Sequence, residues 1–162
     1  MYNYYSRKLR IPFEEAVKNI TATMRQQGFG IITKIDLKEV FRQKLDVVFR
    51  NYTILGACNP EFAHKAVSLE SHIGLMLPCN IVIQEHENGE VEISAISPLD
   101  NLDKSTSTVQ LRGLAGEVGT RLRTAIDDLH RDRPDPDRAE ALPLDSETPH
   151  SPSQHSNIPI QG

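Results

Sequence analysis

The feature that most restricts the fold is a β-hairpin that the sequence predicts around Gly89. A three-residue loop with Gly89 in the left-handed conformation places Ile83 opposite Ile93. The same register places Ile81 opposite Ala95 and keeps one face of both strands apolar. A two-residue loop would instead set apolar side chains opposite polar ones. The chain is therefore expected to contain an antiparallel strand pair with one buried face.

Apolar side chains elsewhere recur at strand spacing and at helix spacing in turn. The patterns predict strands at residues 2–11, 28–35 and 51–58, followed by the two hairpin strands. They predict helices at 13–27, 37–45 and from residue 60, and a long amphipathic helix over 111–129 beyond a linker at 103–108. The order β-α-β-α-β-α-β-β-α predicts an α+β fold, with a mixed, mostly antiparallel sheet and helices packed on one face.

Composition changes sharply near the C-terminus. Residues 131–162 hold six of the ten prolines and almost no large apolar side chains. Such a segment buries too little apolar surface to offset the entropy lost on ordering. We therefore predict a single α+β domain over residues 1–130 and a disordered, Pro-rich tail over residues 131–162.

Charge and hydropathy restrict the partners. The net charge is −4, and residues 1–102 carry nearly equal numbers of basic and acidic side chains. No basic excess is present to neutralise phosphates, so we predict no nucleic-acid partner. The apolar runs are too short to cross a bilayer, and the N-terminus lacks the apolar core of a secretory signal. We therefore predict a cytoplasmic protein without membrane insertion, in a reducing compartment that disfavours structural disulfides.

The chain has two cysteines, 21 residues apart, and asparagine follows each of them, as Cys58-Asn59 and Cys79-Asn80. If their strands are neighbours, the two thiols can meet near one end of the sheet and bind a soft metal or cycle with a disulfide. The helix that begins near Pro60 places partial positive charge beside Cys58, which makes it the better nucleophile. Buried free cysteines also act as small hydrophobic residues, so a packing role stays open.

The neighbouring polar residues differ in how well structure alone explains them. Asn59 followed by proline is typical of a helix N-cap. Asn80 lies just inside a strand, where asparagine is depleted, and is available to a loop, a partner or a ligand. His72 is the one plausible third metal ligand. Arg50 can hold an anion, although helix capping or surface pairing is favoured.

Three runs resemble a known family, the domain of unknown function 302: GFGIITKIDLKEVFRQKL (28–45), YTILGACNPEFAHKA (52–66) and IGLMLPCNIVI (73–83). The resemblance covers about residues 4–100 and implies a compact, dimeric α+β domain without an established reaction. The family's motif positions correspond to Cys58, Asn59, Pro60, Pro78, Cys79 and Asn80. Val48 and Asn51 stand where the family often has an acidic residue and a proline.

Three functions remain open at this stage. The favoured hypothesis is a homodimeric binding module that holds a small ligand or a soft metal near Cys58, Asn59, Cys79 and Asn80. The second is a thiol redox enzyme in which Cys58 attacks and Cys79 resolves. The third is a structural or homodimer assembly domain. Binding is ranked first because thiol catalysis needs a neighbouring acid or base, and the sequence shows none. Whether the protein is an enzyme is left open.

Overall fold

A computed structural model describes residues 3–103, 105 and 107–129 of the chain. The strands are β1 (Tyr4–Leu9), β2 (Gly30–Asp36), β3 (Tyr52–Cys58), β4 (Cys79–Glu85) and β5 (Val91–Ile96). The helices are α1 (Phe13–Gln26), α2 (Leu37–Leu45), α3 (Pro60–Leu69), α4 (Pro98–Asn101) and α5 (Val109–Asp127). A 3₁₀ helix (Ser71–Met76) lies between α3 and β4. The disorder predicted for residues 131–162 falls outside the described residues.

The five strands form one sheet in the order β1-β5-β4-β3-β2, and every neighbouring pair is antiparallel. The predicted hairpin register is confirmed, with Ile83 opposite Ile93 and Ile81 opposite Ala95. Gly89 has a φ of 76°, the left-handed conformation that the three-residue loop requires. The α+β fold class is confirmed, and the sheet is antiparallel throughout rather than mixed.

The main core lies between one face of the sheet and the two long helices. Inward-facing side chains of β4 and β5 are fully buried, as strand alternation predicts. They pack in one cluster with apolar side chains of α1 and α5. Large buried members of this cluster include Ile20, Met24, Leu55, Ile81, Ile83, Ile93, Leu122 and Ile126. Full burial of each such side chain stabilises the fold by roughly 1.5 to 3 kcal/mol.

Helix α2 differs from the other long helices because none of its residues is buried. Its Phe41 ring centroid lies 5.1 Å from that of Phe49, and Phe49 lies 6.2 Å from Tyr52. Tyr52 precedes Thr53, which is buried against the core, so alternation directs Tyr52 to the opposite face of the sheet. This aromatic row therefore attaches α2 to the face that α1 and α5 leave uncovered.

The apolar stretch over residues 73–85, which ends at the hairpin loop, divides into two elements. Strand β4 begins only at Cys79, because the chain before it forms the 3₁₀ helix. The side chain of Glu70 accepts a hydrogen bond from the backbone N–H of His72 at the start of that helix. Pro78, which has no N–H to donate, then separates the helix from the strand. Apolar periodicity alone did not mark this boundary.

None of the helices among the described residues combines the length and the apolar character that a membrane crossing requires.

Gly113→Ala is expected to stabilise the protein. Gly113 lies in the exposed part of α5, and a Cβ added there meets no atom within 4 Å. Alanine should raise the free energy of unfolding by about 0.5 to 1 kcal/mol, because glycine loses more backbone entropy in a helix. Urea denaturation followed by circular dichroism measures the change, and a lower free energy of unfolding would contradict it.

Candidate functional site

An apolar cavity of about 70 Å³ lies at one end of the sheet. Its walls come from the ends of β3, β4 and β5 and from the helices packed beyond them: α3, the 3₁₀ helix, α4 and α5. Most of the lining side chains are aliphatic, aromatic or methionine. Among them are Phe62, Ala66, Met76, Leu111, Ala115 and Val118. The cavity therefore offers an apolar volume at the edge of the main core.

Both cysteines border this cavity, and both are free thiols. Cys79 lies opposite Ala57 across β3 and β4, so Cys58 is one residue further along its strand. Strand alternation then assigns the two side chains to opposite faces of the sheet. Cys79 is 7% exposed, whereas Cys58 is half-buried. The predicted pair is thus brought to one cavity, but the strand geometry does not direct one thiol at the other.

Burial, together with a smaller contribution from the charge of a neighbouring Cys58 thiolate, raises the pKa of the Cys79 thiol from 9.0 to about 11. Thiolate formation at Cys79 is therefore strongly disfavoured at neutral pH, because the anion would lose its hydration in an apolar site. Only the thiolate is nucleophilic, so Cys79 is unsuited to nucleophilic attack without a structural change.

Cys79 is expected to resist alkylation. A pKa of about 11 rather than 9.0 lowers the thiolate fraction at pH 8 about 100-fold. Iodoacetamide should therefore modify Cys79 in the native protein at least about 100-fold more slowly than in the urea-denatured chain. Peptide mass spectrometry over time gives both rates, and half-buried Cys58 provides the internal comparison. A native rate within tenfold of the denatured rate would show that the thiol is not held in a desolvated site.

The two asparagines have different environments. Asn59 caps α3, as predicted: its Oδ1 accepts hydrogen bonds from the backbone N–H groups of Glu61 (3.1 Å) and Phe62 (3.2 Å). It also lines the cavity. Asn80 is exposed and lies opposite Gly56 on the neighbouring strand. Of the four candidate residues, Cys58, Asn59 and Cys79 border the cavity, and Asn80 lies outside its lining.

The other candidate ligands lie elsewhere on the surface. The side chain of His72 is 85% exposed, and its Nδ1 is 3.3 Å from the carboxylate of Glu70. Arg50 donates from Nη2 to Oε1 of Gln84 at 2.8 Å, which favours its interpretation as a surface pair. In the described part of the chain, no three His, Cys, Asp or Glu side chains come together as a metal site would require.

The side chain of Arg121 lies near Asn59 beside the cavity, and the sequence analysis did not predict this arrangement. Gly28 has a φ of 83°, and a Cβ built on it would lie 3.0 Å from Nδ2 of Asn59 and 3.9 Å from Nη1 of Arg121. The guanidinium of Arg121 also lies 5.0 Å from the ring centroid of Phe62, a cavity-lining residue. An amide donor and a cation therefore converge next to the apolar cavity. The one sequence signal was Gly28 itself, the glycine that directly follows the helix predicted over residues 13–27.

These features define a small α+β domain with an apolar cavity at the end of an antiparallel sheet. The profile of a family described as "Domain of unknown function DUF302" matches residues 5–129, so the chain belongs to that family. The earlier resemblance is thus confirmed.

A crystal structure of an uncharacterized conserved DUF302 protein from Bacillus stearothermophilus is similar to this fold, with a TM-score of 0.70 and 24% sequence identity. The match covers 76% of this chain and 95% of the other. At this identity the likeness establishes the fold alone. No curated protein matches the chain.

Proposed function

We propose that this protein is a binding module whose cavity holds the apolar part of a small molecule. The observation that carries this proposal is the cavity of about 70 Å³ beside Cys58, Asn59 and Cys79. Protein interiors are packed at crystal-like density, and voids larger than a water molecule are few. A cavity at a sheet end that is lined by seven structural elements is therefore a reasonable place for a ligand group.

The lining favours an apolar occupant over water. A buried water needs two to four polar partners, and a dry apolar cavity of about 150 Å³ binds benzene or xenon. Here the cavity is about half that volume, and the Oδ1 of Asn59 is already used by the cap of α3. A hydrocarbon group of about three or four carbons suits such a space. Its transfer from water would supply most of the binding free energy.

A titration with 1-butanol tests this function directly. Amide and methyl resonances of cavity residues should shift saturably at millimolar alcohol, as seen in two-dimensional NMR spectra. Ala115→Leu, which places a larger side chain in the cavity wall, should abolish the shifts. Gly113→Ala on the same helix, at an exposed position, is the matched control and should bind as the wild type does. Shifts that never saturate, or that persist in Ala115→Leu, would refute the cavity as the site.

The thiol redox function is supported less well. It needs Cys58 and Cys79 to form a bond, although alternation places their side chains on opposite faces and burial keeps Cys79 protonated. Treatment with oxidised glutathione should therefore yield no internal disulfide. A Cys58–Cys79 bridge found by peptide mass spectrometry in folded protein would restore the redox hypothesis. A soft metal at the cavity would have only these two thiols as ligands, because His72, the third predicted ligand, does not line the cavity.

The homodimer stays a prediction, and one surface is the first place to test it. Several large apolar side chains of β2, of α2 and of the segment that follows α2 are exposed: Ile32, Ile35, Val40, Leu45, Val47 and Val48. Exposed apolar side chains grouped in this way are typical of protein interfaces. If the chain is a dimer through this surface, Leu45→Glu should yield a monomer in sedimentation equilibrium. A wild-type monomer would remove the assembly hypothesis.

A further inference from the structure

We infer that the ligand is a short-chain carboxylate, whose hydrocarbon chain lies in the cavity and whose carboxylate binds Asn59 and Arg121. This inference rests on the proposed function, because it names the class of molecule for the same cavity. It is carried by the convergence of an amide N–H₂ and a guanidinium beside a cavity that has almost no other polar lining.

The amide of Asn59 has a donor to spare. Its oxygen faces the N-terminus of α3 and accepts two backbone hydrogen bonds there. Its Nδ2 carries two N–H donors. Within the described residues, no acceptor is hydrogen-bonded to that nitrogen, which lies near Gly28 on the other side of the amide. The helix cap thus fixes the side chain in an orientation that presents its donors to a ligand.

Arg121 supplies the charge. Its Nη1 donates to the carbonyl of Gln27 at 3.4 Å, and its Nη2 donates to Glu117 at 3.1 Å. A guanidinium has five N–H donors, so three remain. The ion pair with Glu117 is half-exposed, and such pairs contribute little free energy. A ligand carboxylate can therefore share the guanidinium or displace Glu117 from it.

Phe62 connects the polar group with the cavity. The ring lies 5.0 Å from the guanidinium of Arg121, and it also lines the cavity. A molecule whose carboxylate meets Arg121 and Asn59 can therefore extend its chain past Phe62 into apolar surroundings. The missing Cβ of Gly28 matters here, because a side chain at that position would approach Nδ2 of Asn59 to 3.0 Å.

The charge balance favours a carboxylate over other head groups. One guanidinium and one amide match a single negative charge with two acceptor oxygens. A doubly charged phosphate would face the carboxylate of Glu117 with only one cation to offset it. An amine would be repelled by Arg121. A cavity about half the size of one that holds benzene takes about three carbons beyond the carboxylate, which makes butanoate the appropriate probe.

The test compares sodium butanoate with uncharged 1-butanol at constant ionic strength, again by NMR titration. The wild-type protein should bind butanoate more tightly than butanol. Arg121→Gln should weaken butanoate binding about tenfold and leave butanol binding within about twofold, because only the charge-assisted contact is lost. Glu117→Gln should strengthen butanoate binding several-fold, because it removes the competing carboxylate. Arg121→Lys keeps the charge and should retain part of the affinity.

The outcomes separate this inference from the proposed function. If butanol binds but butanoate binds no more tightly, the carboxylate proposal is overturned and the apolar site remains. The same conclusion follows if butanoate binding is insensitive to Arg121→Gln and Glu117→Gln. Failure of both probes in the wild-type protein would overturn both proposals. Butanoate that still binds Ala115→Leu at wild-type affinity would show surface binding of the anion alone and would also overturn the inference. Wild-type-like spectra of each variant before titration establish that it is folded.

Discussion

Ala125→Leu is expected to lower the free energy of unfolding by about 1 to 3 kcal/mol, whereas Ala115→Leu should leave it unchanged or raise it by up to about 1 kcal/mol. Both residues lie on α5, and both are buried, at 0% and 9% exposure for Ala125 and Ala115. Helix propensity is the same for the two substitutions. The opposite outcomes therefore follow only from the packing around each side chain.

Ala125 belongs to the main core, where α5 packs on the sheet, and it does not line the cavity. Three additional carbons there must displace neighbouring side chains or the helix itself. Ala115 instead lines the cavity of about 70 Å³, so leucine can extend into existing space and bury more apolar surface. Urea denaturation of the two variants and the wild-type protein measures the difference. Equal destabilisation by both would mean that the space beside Ala115 is not usable volume.

Gly56→Ala is expected to cost about 3 kcal/mol of unfolding free energy, at the upper end of overpacking effects. A Cβ on Gly56 would lie 2.2 Å from Oγ1 of Thr33 and 2.7 Å from Cγ of Pro78. Gly56 is central in β3, between β2 and β4, so neither contact can be relieved by a shift of a free end. The glycine is therefore required because Thr33 and Pro78 occupy the space that a Cβ at this position would need.

A double variant locates the cause of this loss. Thr33→Ala removes the hydroxyl that a new Cβ would strike, so Gly56→Ala should be less damaging in the Thr33→Ala background than in the wild-type protein. Residues in contact are expected to couple by about 0.5 to 3 kcal/mol in such a cycle. Gly113→Ala, the exposed helical control, should stabilise instead. Gly56→Ala with wild-type stability would contradict the close approach, and additive effects would exclude Thr33 as its main source.

Local patterns predicted much of the fold. The hairpin register followed from alternation in β4 and β5, since only one loop length keeps Ile81 and Ile83 opposite apolar partners. The cap at Asn59 followed from the Asn-Pro pair, because both residues satisfy requirements of the first helical turn. These features depend on neighbours within a few residues along the chain or across one turn.

The site depends on contacts that local patterns do not contain. Arg121 reaches the carbonyl of Gln27, 94 residues earlier, and its position depends on how α5 packs against α1. The cavity likewise arises where the 3₁₀ helix and α4 close over the sheet end, and neither element was predicted. The sequence placed the two cysteines near one sheet end only on the condition that their strands are neighbours, and β3 and β4 do pair. That their side chains belong to opposite faces of the sheet became evident only from the strand register, in which Cys79 lies opposite Ala57.

The most direct test of the central claim is a crystal structure determined under xenon pressure. Xenon is an apolar atom that enters dry cavities without any head group, so it reports on the cavity alone. We predict one xenon site in contact with Phe62, Met76 and Ala115, and its loss in Ala115→Leu. Ordered water in that space, or side chains that fill it, would contradict the proposal that this protein binds an apolar group there.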